Sequence, residues 1–176
     1  FDWDYMANVF EHPFEILLVD KVPENHDAPQ KVGGHFEGCR VGFDAGGSDR
    51  KVSAVIDGET VYSEEVVWFP KTNSDPDYHY DGIVAALKSA AAHMPRVDAI
   101  GVSSAGVFIN NRTMNASLFL KVPKDLYDKK VKDIYIRAIT DTFGDVPYSV
   151  ANDGDVSALA GAISLGKNNM LGIAMG

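Results

Sequence analysis

Hydrophobic and polar residues alternate along the first strongly patterned part of the chain, from residue 40 to residue 69. Three β-rich runs follow one another there: RVGFDAGG, RKVSAVID and ETVYSEEVVWF. Two glycines separate the first run from the second, and Asp57-Gly58 separates the second from the third. An Asp-Gly pair between alternating segments is a strong hairpin signal, because both residues of such a tight turn adopt positive φ. The pattern predicts three antiparallel strands.

Beyond the polar loop PKTNSDPDYHYD the apolar spacing becomes helical. A first helix is indicated by apolar residues that recur every three to four positions until Pro95: Ile83, Leu87, Ala91 and Met94. A second helix is predicted from about Lys124 to Gly144, with one apolar stripe: Tyr127, Val131, Ile134, Ala138 and Ile139. The run DVSALAGAISLG predicts a third.

Short apolar runs lie between and after these helices. We predict strands at VDAIGVSSAGVF and PYSVAND, and the start of a further strand at NMLGIAMG. Strands that alternate with helices form a mixed α/β order, in which the later strands are parallel and joined by helical crossovers.

The first 38 residues depart from this pattern. They contain the apolar run FEILLVD and then a segment rich in glycine and proline. We interpret residues 1–38 as an extension, an arm or strand packed on a main domain of residues 39–176. Because the chain begins at Phe1 and stops inside a glycine turn, we expect it to be part of a longer protein.

Composition narrows the classes of partner. The 176 residues are 45% hydrophobic, enough for one compact domain with a core. A formal net charge of −9 is unfavourable for approaching a phosphate backbone, so nucleic acid is not expected to bind through this segment. No apolar run approaches the ~20 residues that span a bilayer, so we expect no membrane partner and a cytoplasmic location. The oligomeric state, including a homo-oligomer, is left open.

Cysteine and histidine offer no metal site. Cys39 is the only cysteine and is expected to be a buried small residue. The histidines are scattered, without the spacing of metal ligands, and each is expected at the surface or in the core: His12, His26, His35, His79 and His93.

Three short motifs carry a family resemblance. GFDAGGSDRKVSAVIDG looks like the first phosphate motif of the actin-like ATPase superfamily. Together with AIGVSSAGVFI and YSVANDGDVSALAGA, it makes residues 39–176 resemble the ROK family of bacterial sugar kinases and sugar-responsive repressors. The resemblance implies an N-terminal lobe of ribonuclease-H-like fold, an α/β mixed sheet of roughly five strands flanked by helices. It also implies ATP and Mg²⁺ as cofactors and a small-molecule sugar as substrate.

The glycine turn of the first motif suits an anion. Gly46 and Gly47 allow the backbone to approach a phosphate closely, and the Ser48 hydroxyl can donate to a phosphate oxygen. With Lys51 they form the predicted phosphate-binding set. Asp44 repels phosphate, so its predicted role is to hold Mg²⁺, directly or through water, because a small hard cation prefers carboxylate oxygen. The alternative is an ordinary hairpin whose aspartate accepts backbone hydrogen bonds.

Asn152 and Asp153 fall at the end of a predicted strand, directly before a helix. Either could cap the helix N-terminus. The resemblance instead makes Asp153 the general base that takes the proton of a sugar hydroxyl, with Asn152 hydrogen-bonded to the sugar. We favour these roles for the pair, because Asp153 could cap the helix alone.

The middle motif adds two candidate substrate-binding residues. Gly106 breaks its small-residue strand, and Asn115 stands where relatives carry an asparagine that bonds a sugar hydroxyl. Asn115 is left open between that role and a hairpin, whereas Asn110-Asn111 is interpreted as a hairpin tip. The chain departs from the family where Ala105-Gly106 replaces Pro-Gly, where Ser48 replaces a frequent Thr, and where Ala151 replaces a frequent Glu. The last difference bears most on the sugar contacts.

These observations predict ATP-dependent phosphorylation of a sugar hydroxyl, as in a glucokinase-like sugar kinase. We expect the chain alone to be inactive, because one lobe neither excludes water nor completes the cleft. Two alternatives stay open: a non-catalytic sugar-binding regulator of the same family, and a superfamily kinase acting on a non-sugar alcohol. Residues 1–38 are acidic and too short for a helix-turn-helix domain, which favours the kinase.

Overall fold

The computed structural model describes residues 2–25 and 34–174. Its helices are α1 (Trp3–Phe10), α2 (Pro76–Ala91), α3 (Lys124–Leu126), α4 (Ile134–Phe143) and α5 (Asp153–Leu165). Its strands are β1 (Cys39–Ala45), β2 (Asp49–Ile56), β3 (Glu59–Val67), β4 (Ala99–Ser104), β5 (Val107–Ile109), β6 (Arg112–Asn115) and β7 (Tyr148–Asn152). Short 3₁₀ turns lie at Pro70–Thr72 and Ser117–Phe119. A π-helical turn, Tyr127–Val131, separates α3 from α4, so the helix predicted from Lys124 to Gly144 is interrupted.

Five strands form one mixed sheet in the order β3-β2-β1-β4-β7. β1, β2 and β3 pair antiparallel, whereas β1 with β4 and β4 with β7 pair parallel. The three predicted antiparallel strands and the predicted parallel pairing of the later strands are therefore confirmed. Asp57 and Gly58 both have positive φ at the β2–β3 turn, as a tight hairpin requires.

A separate two-stranded hairpin, β5 and β6, follows β4. Asn110 and Asn111 form its tip with φ of 52° and 66°, which confirms the turn interpretation. The side chain of Asn111 also accepts a hydrogen bond from the backbone N–H of Val150, at 2.8 Å. The hairpin is thereby tied to the edge strand β7.

The two faces of the sheet differ in chemistry. One face packs against α2 and α4 through buried apolar side chains: Val41, Phe43, Val52, Ile83, Leu87, Val102, Ile134, Tyr135 and Ile139. The other face presents small or polar residues beneath α5, a helix with no buried residue: Gly42, Asp44, Ser53, Gly101 and Ser103. This alternation follows from the two-residue period of each strand.

The N-terminal segment packs on the domain through α1. Val9 is buried, and Glu11 accepts hydrogen bonds from Arg112 and Lys132. Residues 13–25 form neither helix nor strand, and Leu18 is fully exposed. Of the two alternatives for the extension, its described part is therefore an arm that packs through α1, and the strand is wrong.

The C-terminal strand prediction is also wrong in the part that the structure describes. Residues 167–174 contain no strand. Glycine and asparagine interrupt the run NMLGIAMG, and no neighbouring strand pairs with its described residues.

The remaining expectations concern single residues. Cys39 is buried, as predicted. His79 is buried, His93 stacks on Tyr62, and His12 and His35 are exposed, whereas His26 lies outside the described residues. Among the described residues, no helix combines the length and apolar character that a membrane span requires.

Candidate active site

The carboxyl ends of β1, β4 and β7 meet at one edge of the sheet. The parallel register places three residues in one row across these ends: Asp44, Ser103 and Ala151. The next row is Ala45, Ser104 and Asn152. Because side chains alternate along a strand, the first row faces α5 and the second faces the core. In open α/β sheets this edge is where ligands bind.

A cavity of about 810 Å³ opens at this edge, and we call it the edge cavity. Three charged side chains line it: Asp44, Asp153 and Lys71. Gly46 and Gly47 border it, and so do Ser103, Ala105, Ser117 and Ser157. The structure thus brings together the predicted metal ligand Asp44, the predicted base Asp153 and two of the four predicted phosphate-binding residues.

Trp68, which is 1% exposed, holds the glycine turn from the core side. Its indole Nε1 donates to the carbonyl of Gly46 at 2.8 Å, and its backbone N–H donates to the carbonyl of Ser48 at 3.1 Å. A Cβ on Gly46 would lie 2.6 Å from the carbonyl oxygen of Asp49, so any side chain there would displace the turn. The sequence analysis missed Trp68, although WFP at the end of a strand marks a buried aromatic beside a turn.

Ser48 and Lys51 do not line the edge cavity. The Ser48 hydroxyl donates to the Asp49 carboxylate at 3.2 Å, and Lys51 Nζ lies 2.5 Å from the same carboxylate. The Lys51–Asp49 hydrogen bond raises the pKa of Lys51 and lowers the pKa of Asp49. Their phosphate contacts stay predictions, and the cation that lines the cavity is instead Lys71, from the turn after β3.

Asn152 is the N-cap of α5. Its Oδ1 accepts from the backbone N–H of Gly154 at 2.8 Å, and its Nδ2 donates to the carbonyl of Gly106 at 2.8 Å. Asp153 Oδ1 shares the Gly154 N–H at 3.0 Å. The premise that Asp153 caps alone is therefore wrong, because the asparagine is the cap. The sugar contact of Asn152 stays a prediction.

Asp153 stands in the first turn of α5, where the positive end of the helix favours a carboxylate. None of the described residues donates a hydrogen bond to its second oxygen, Oδ2. Because Asp153 also lines the edge cavity, that oxygen is available as an acceptor.

Gly106 joins the α5 cap to the β5–β6 hairpin. Its φ is 156°, and a Cβ there would lie 2.6 Å from the carbonyl oxygen of Asn115. The Asn115 side chain is exposed and lines a different cavity, of about 320 Å³, against α1. The structure therefore brings Gly106 and Asn152 into contact but places the Asn115 side chain apart from the edge cavity, and their substrate roles stay predictions.

The order of the five strands is that of the ribonuclease-H-like fold, which actin-like ATPases share. Three solved structures to which the chain is similar are sugar kinases. The inorganic polyphosphate/ATP glucomannokinase of Arthrobacter sp. strain KM is 20% identical with a TM-score of 0.54, over 72% of this chain and 48% of that one. A putative sugar kinase of Cytophaga hutchinsonii is 19% identical with a TM-score of 0.53, over 71% and 39%. The ROK hexokinase of Thermus thermophilus is 18% identical with a TM-score of 0.51, over 70% and 37%.

At these identities the likeness concerns the fold, and it confirms the predicted fold class. The chain spans less than half the length of each of these kinases. No protein-family model matches the chain. No curated protein matches it either.

Proposed function

We propose that this chain is the N-terminal lobe of an ATP-dependent, ROK-type sugar kinase, in which Asp153 accepts the proton of the sugar hydroxyl. The observation that carries the proposal is the edge cavity, which collects Asp44, the Gly46-Gly47 turn, Lys71 and Asp153. Phosphoryl transfer requires positioning, charge neutralisation and one proton acceptor, and this cavity has residues for each.

The residues at Asp44 fit Mg²⁺. Asp44 lies beside the turn, and none of the described lysines or arginines is within ion-pair distance of its carboxylate. Nucleotide-bound Mg²⁺ is held by one or two carboxylates together with phosphates and water, so a larger cluster is not required. The described residues contain no cluster of three or more metal-ligating side chains. When bound, Mg²⁺ would neutralise negative charge on the nucleotide phosphates.

Asp153 would act on the acceptor. As the sugar oxygen forms a bond to the γ-phosphorus, its proton passes to the Asp153 carboxylate, and the bond from the γ-phosphorus to the ADP oxygen breaks. The position of Asp153 at a strand end, at a helix N-terminus and in the same cavity as the glycine turn supports this role.

Two observations favour a second candidate, a kinase of the same fold acting on a non-sugar alcohol. Ala151 stands in the row of Asp44, where the ROK resemblance leads us to expect a glutamate. The amide of Asn152 is also occupied by the cap and by Gly106. Both features reduce the groups left to read a sugar, while the phosphate end of the cavity is unaffected.

The variant Asp153→Asn, made in the whole protein, tests whether Asp153 is the general base. Asparagine keeps the size of aspartate and can still accept from the Gly154 N–H, while Asn152 remains the cap, but it takes up no proton. We therefore expect kcat to fall by about 10²-fold or more with little change in Tm. ADP release against a panel of hexoses, amino sugars and simple polyols identifies the acceptor in the same assay. Turnover at the wild-type rate in Asp153→Asn would remove the base assignment.

Asn152→Ala is the matched comparison. It removes the cap, so we expect a loss of about 1 kcal/mol of stability, together with weaker acceptor binding if Asn152 contacts the acceptor. An unchanged KM for the acceptor would reject the contact with the sugar but leave the role of Asp153 intact.

A further inference from the structure

We infer that Lys71 is the phosphate-binding cation of the edge cavity, and that the buried His79 holds the turn that carries it. This inference rests on the proposed function, because it assigns a residue for binding the nucleotide phosphates of that site.

The first observation is the contact between Lys71 and the glycine turn. Lys71 belongs to the 3₁₀ turn Pro70–Thr72, which follows β3. A Cβ on Gly47 would lie 2.5 Å from Lys71 Nζ and would also overlap Lys71 Cε. The lysine therefore lies across the turn in space that only a glycine leaves open, with its ammonium beside the predicted phosphate loop.

The second observation is the balance of charge among the side chains that line the edge cavity. Two carboxylates, Asp44 and Asp153, line the edge cavity, and Lys71 is the one cation among the described residues that line it. A polyphosphate is repelled by two carboxylates unless a cation compensates them. Mg²⁺ held at Asp44 would compensate one side, and Lys71 lies on the side of the glycine turn.

The third observation is that the ammonium of Lys71 is available. Several other lysines of the described residues are already paired: Lys51 with Asp49, Lys130 with Asp77, and Lys132 with Glu11 and Asp128. No carboxylate of the described residues forms an ion pair with Lys71, whose side chain is exposed. A lysine that lines a cavity unpaired is suited to bind an anionic ligand.

His79 fixes the position of the Lys71 turn. It is fully buried, and its Nε2 lies 3.0 Å from the carbonyl oxygen of Pro70 while its Nδ1 lies 2.9 Å from the carbonyl oxygen of Asp75. A carbonyl oxygen only accepts and a neutral imidazole carries a single N–H, so the ring donates to one of the two carbonyls; in the Nε2–H tautomer it donates to Pro70. The turn is thereby attached to the first turn of α2, and His79 acts as a positioning residue for Lys71.

The experiment compares Lys71→Met with Lys71→Arg and with Lys88→Met, an exposed lysine of α2 outside the edge cavity. Calorimetric titration of the whole protein with MgATP, MgADP and AMP is combined with kcat. We expect Lys71→Met to weaken MgATP binding at least about 10-fold and lower kcat by about 10²-fold, as for loss of one charge-stabilising donor. AMP binding should be unchanged, Lys71→Arg should retain most activity, and Lys88→Met should match wild type.

A second variant protects the test against misfolding. Gly47→Ala displaces only the flexible end of Lys71, so it should keep the wild-type Tm while weakening MgATP binding in the same direction as Lys71→Met. If Lys71→Met and Gly47→Ala both bind MgATP and turn over within twofold of Lys88→Met, the inference is wrong while the proposed function stands. If wild-type protein neither binds MgATP nor transfers phosphate, the proposed function fails, and the inference fails with it.

The role of His79 is tested by His79→Gln alone and combined with Lys71→Met. A positioning role predicts a lower kcat for the single variant and little further loss in the double variant, because both changes remove the same contact. Additive losses, or a lower Tm with unchanged kcat, would reject the positioning role.

Discussion

The two faces of the central sheet differ in burial and in polarity. The face toward α2 and α4 is apolar and closed, with Phe43 and Val102 almost completely buried. The face toward α5 carries Asp44 and Ser103 at its edge and glycine or serine further back. Successive side chains of a strand point to opposite faces of the sheet, so each strand contributes residues to both faces. We infer that the apolar face provides most of the stability, whereas the residues of the candidate active site lie on the face toward α5.

The α5 face is open because its residues are small. A Cβ on Gly101 would meet none of the described atoms within 4 Å. On α5, Ile163 and Leu165 remain exposed even though the helix is apolar along much of its length. An open sheet face with small side chains leaves room for a ligand at its edge, and the same property means that it contributes little packing energy.

The largest expected effect is a stability contrast between the two faces. Phe43→Ala leaves a cavity in the closed face and should lower the free energy of unfolding by about 3–5 kcal/mol. Gly101→Ala adds a Cβ that would meet none of the described atoms within 4 Å, so it should be neutral or stabilise by about 0.4–1 kcal/mol through the unfolded chain. Urea titration of both variants measures the difference. Equal losses in the two variants would show that the faces contribute alike.

A smaller difference in stability is expected between the loss of a buried hydroxyl, at Tyr135, and the loss of one on the α5 face, at Ser103. Tyr135, fully buried in α4, donates to Ser104 Oγ at 3.0 Å, whereas the neighbouring Ser103 lies on the α5 face. Tyr135→Phe leaves the Ser104 hydroxyl without this partner in the core and should cost about 1–3 kcal/mol. Ser103→Ala should stay within about 0.5 kcal/mol of wild type, as for a residue outside the core. Thermal unfolding of the pair checks this, and a larger loss for Ser103→Ala would contradict the division of the faces.

Much of the fold could be predicted from periodicity, because each sheet strand carries its pattern within its own sequence. The Asp57-Gly58 turn, the Asn110-Asn111 tip and the parallel strands follow from local signals. FEILLVD fails as a strand because an apolar run forms a strand only where a neighbouring strand can pair with it. The π turn at Tyr127–Val131 likewise leaves no signal in a pattern whose apolar stripe continues through it.

Candidate residues of the edge cavity were predicted only within the first and the third of the three motifs. Asp44, Gly46, Gly47 and Asp153 stand at strand ends, and the parallel register brings strand ends together. Lys71 was missed because it enters the cavity from a loop whose position depends on tertiary contacts, including the hydrogen bond from His79. Lys51 was included for its place in the motif, but its ammonium forms an ion pair with Asp49, two residues away.

The smallest expected effect concerns α1, which is attached by charge rather than by either face of the sheet. Hydrogen bonds from Lys132 first, and from Arg112 second, lower the pKa of the Glu11 carboxyl below its usual range. A lowered folded-state pKa means that the contribution to stability is complete above the ordinary glutamate pKa, about 4.3, and is lost as pH falls through the folded value. Asp98, whose pKa is also lowered, accepts a hydrogen bond from the Cys39 N–H at the start of β1. Acid should therefore loosen α1 before it affects the interior of β1, residues 41–43, which the apolar core covers.

Amide hydrogen exchange measures this difference. Protection factors for residues 3–10 should fall relative to those of β1 as pH decreases below about 4.3, and 1 M salt should weaken α1 protection at neutral pH, because the ion pairs are exposed. In Glu11→Gln the protection of α1 should already be reduced at neutral pH and should change less with acid, since only Asp128 and Asp133 still pair with Lys132 and Arg112. If acid lowered α1 and β1 protection together in both proteins, α1 would belong to the same cooperative unit as the closed face, and its attachment by charge would be secondary to the packing of Val9.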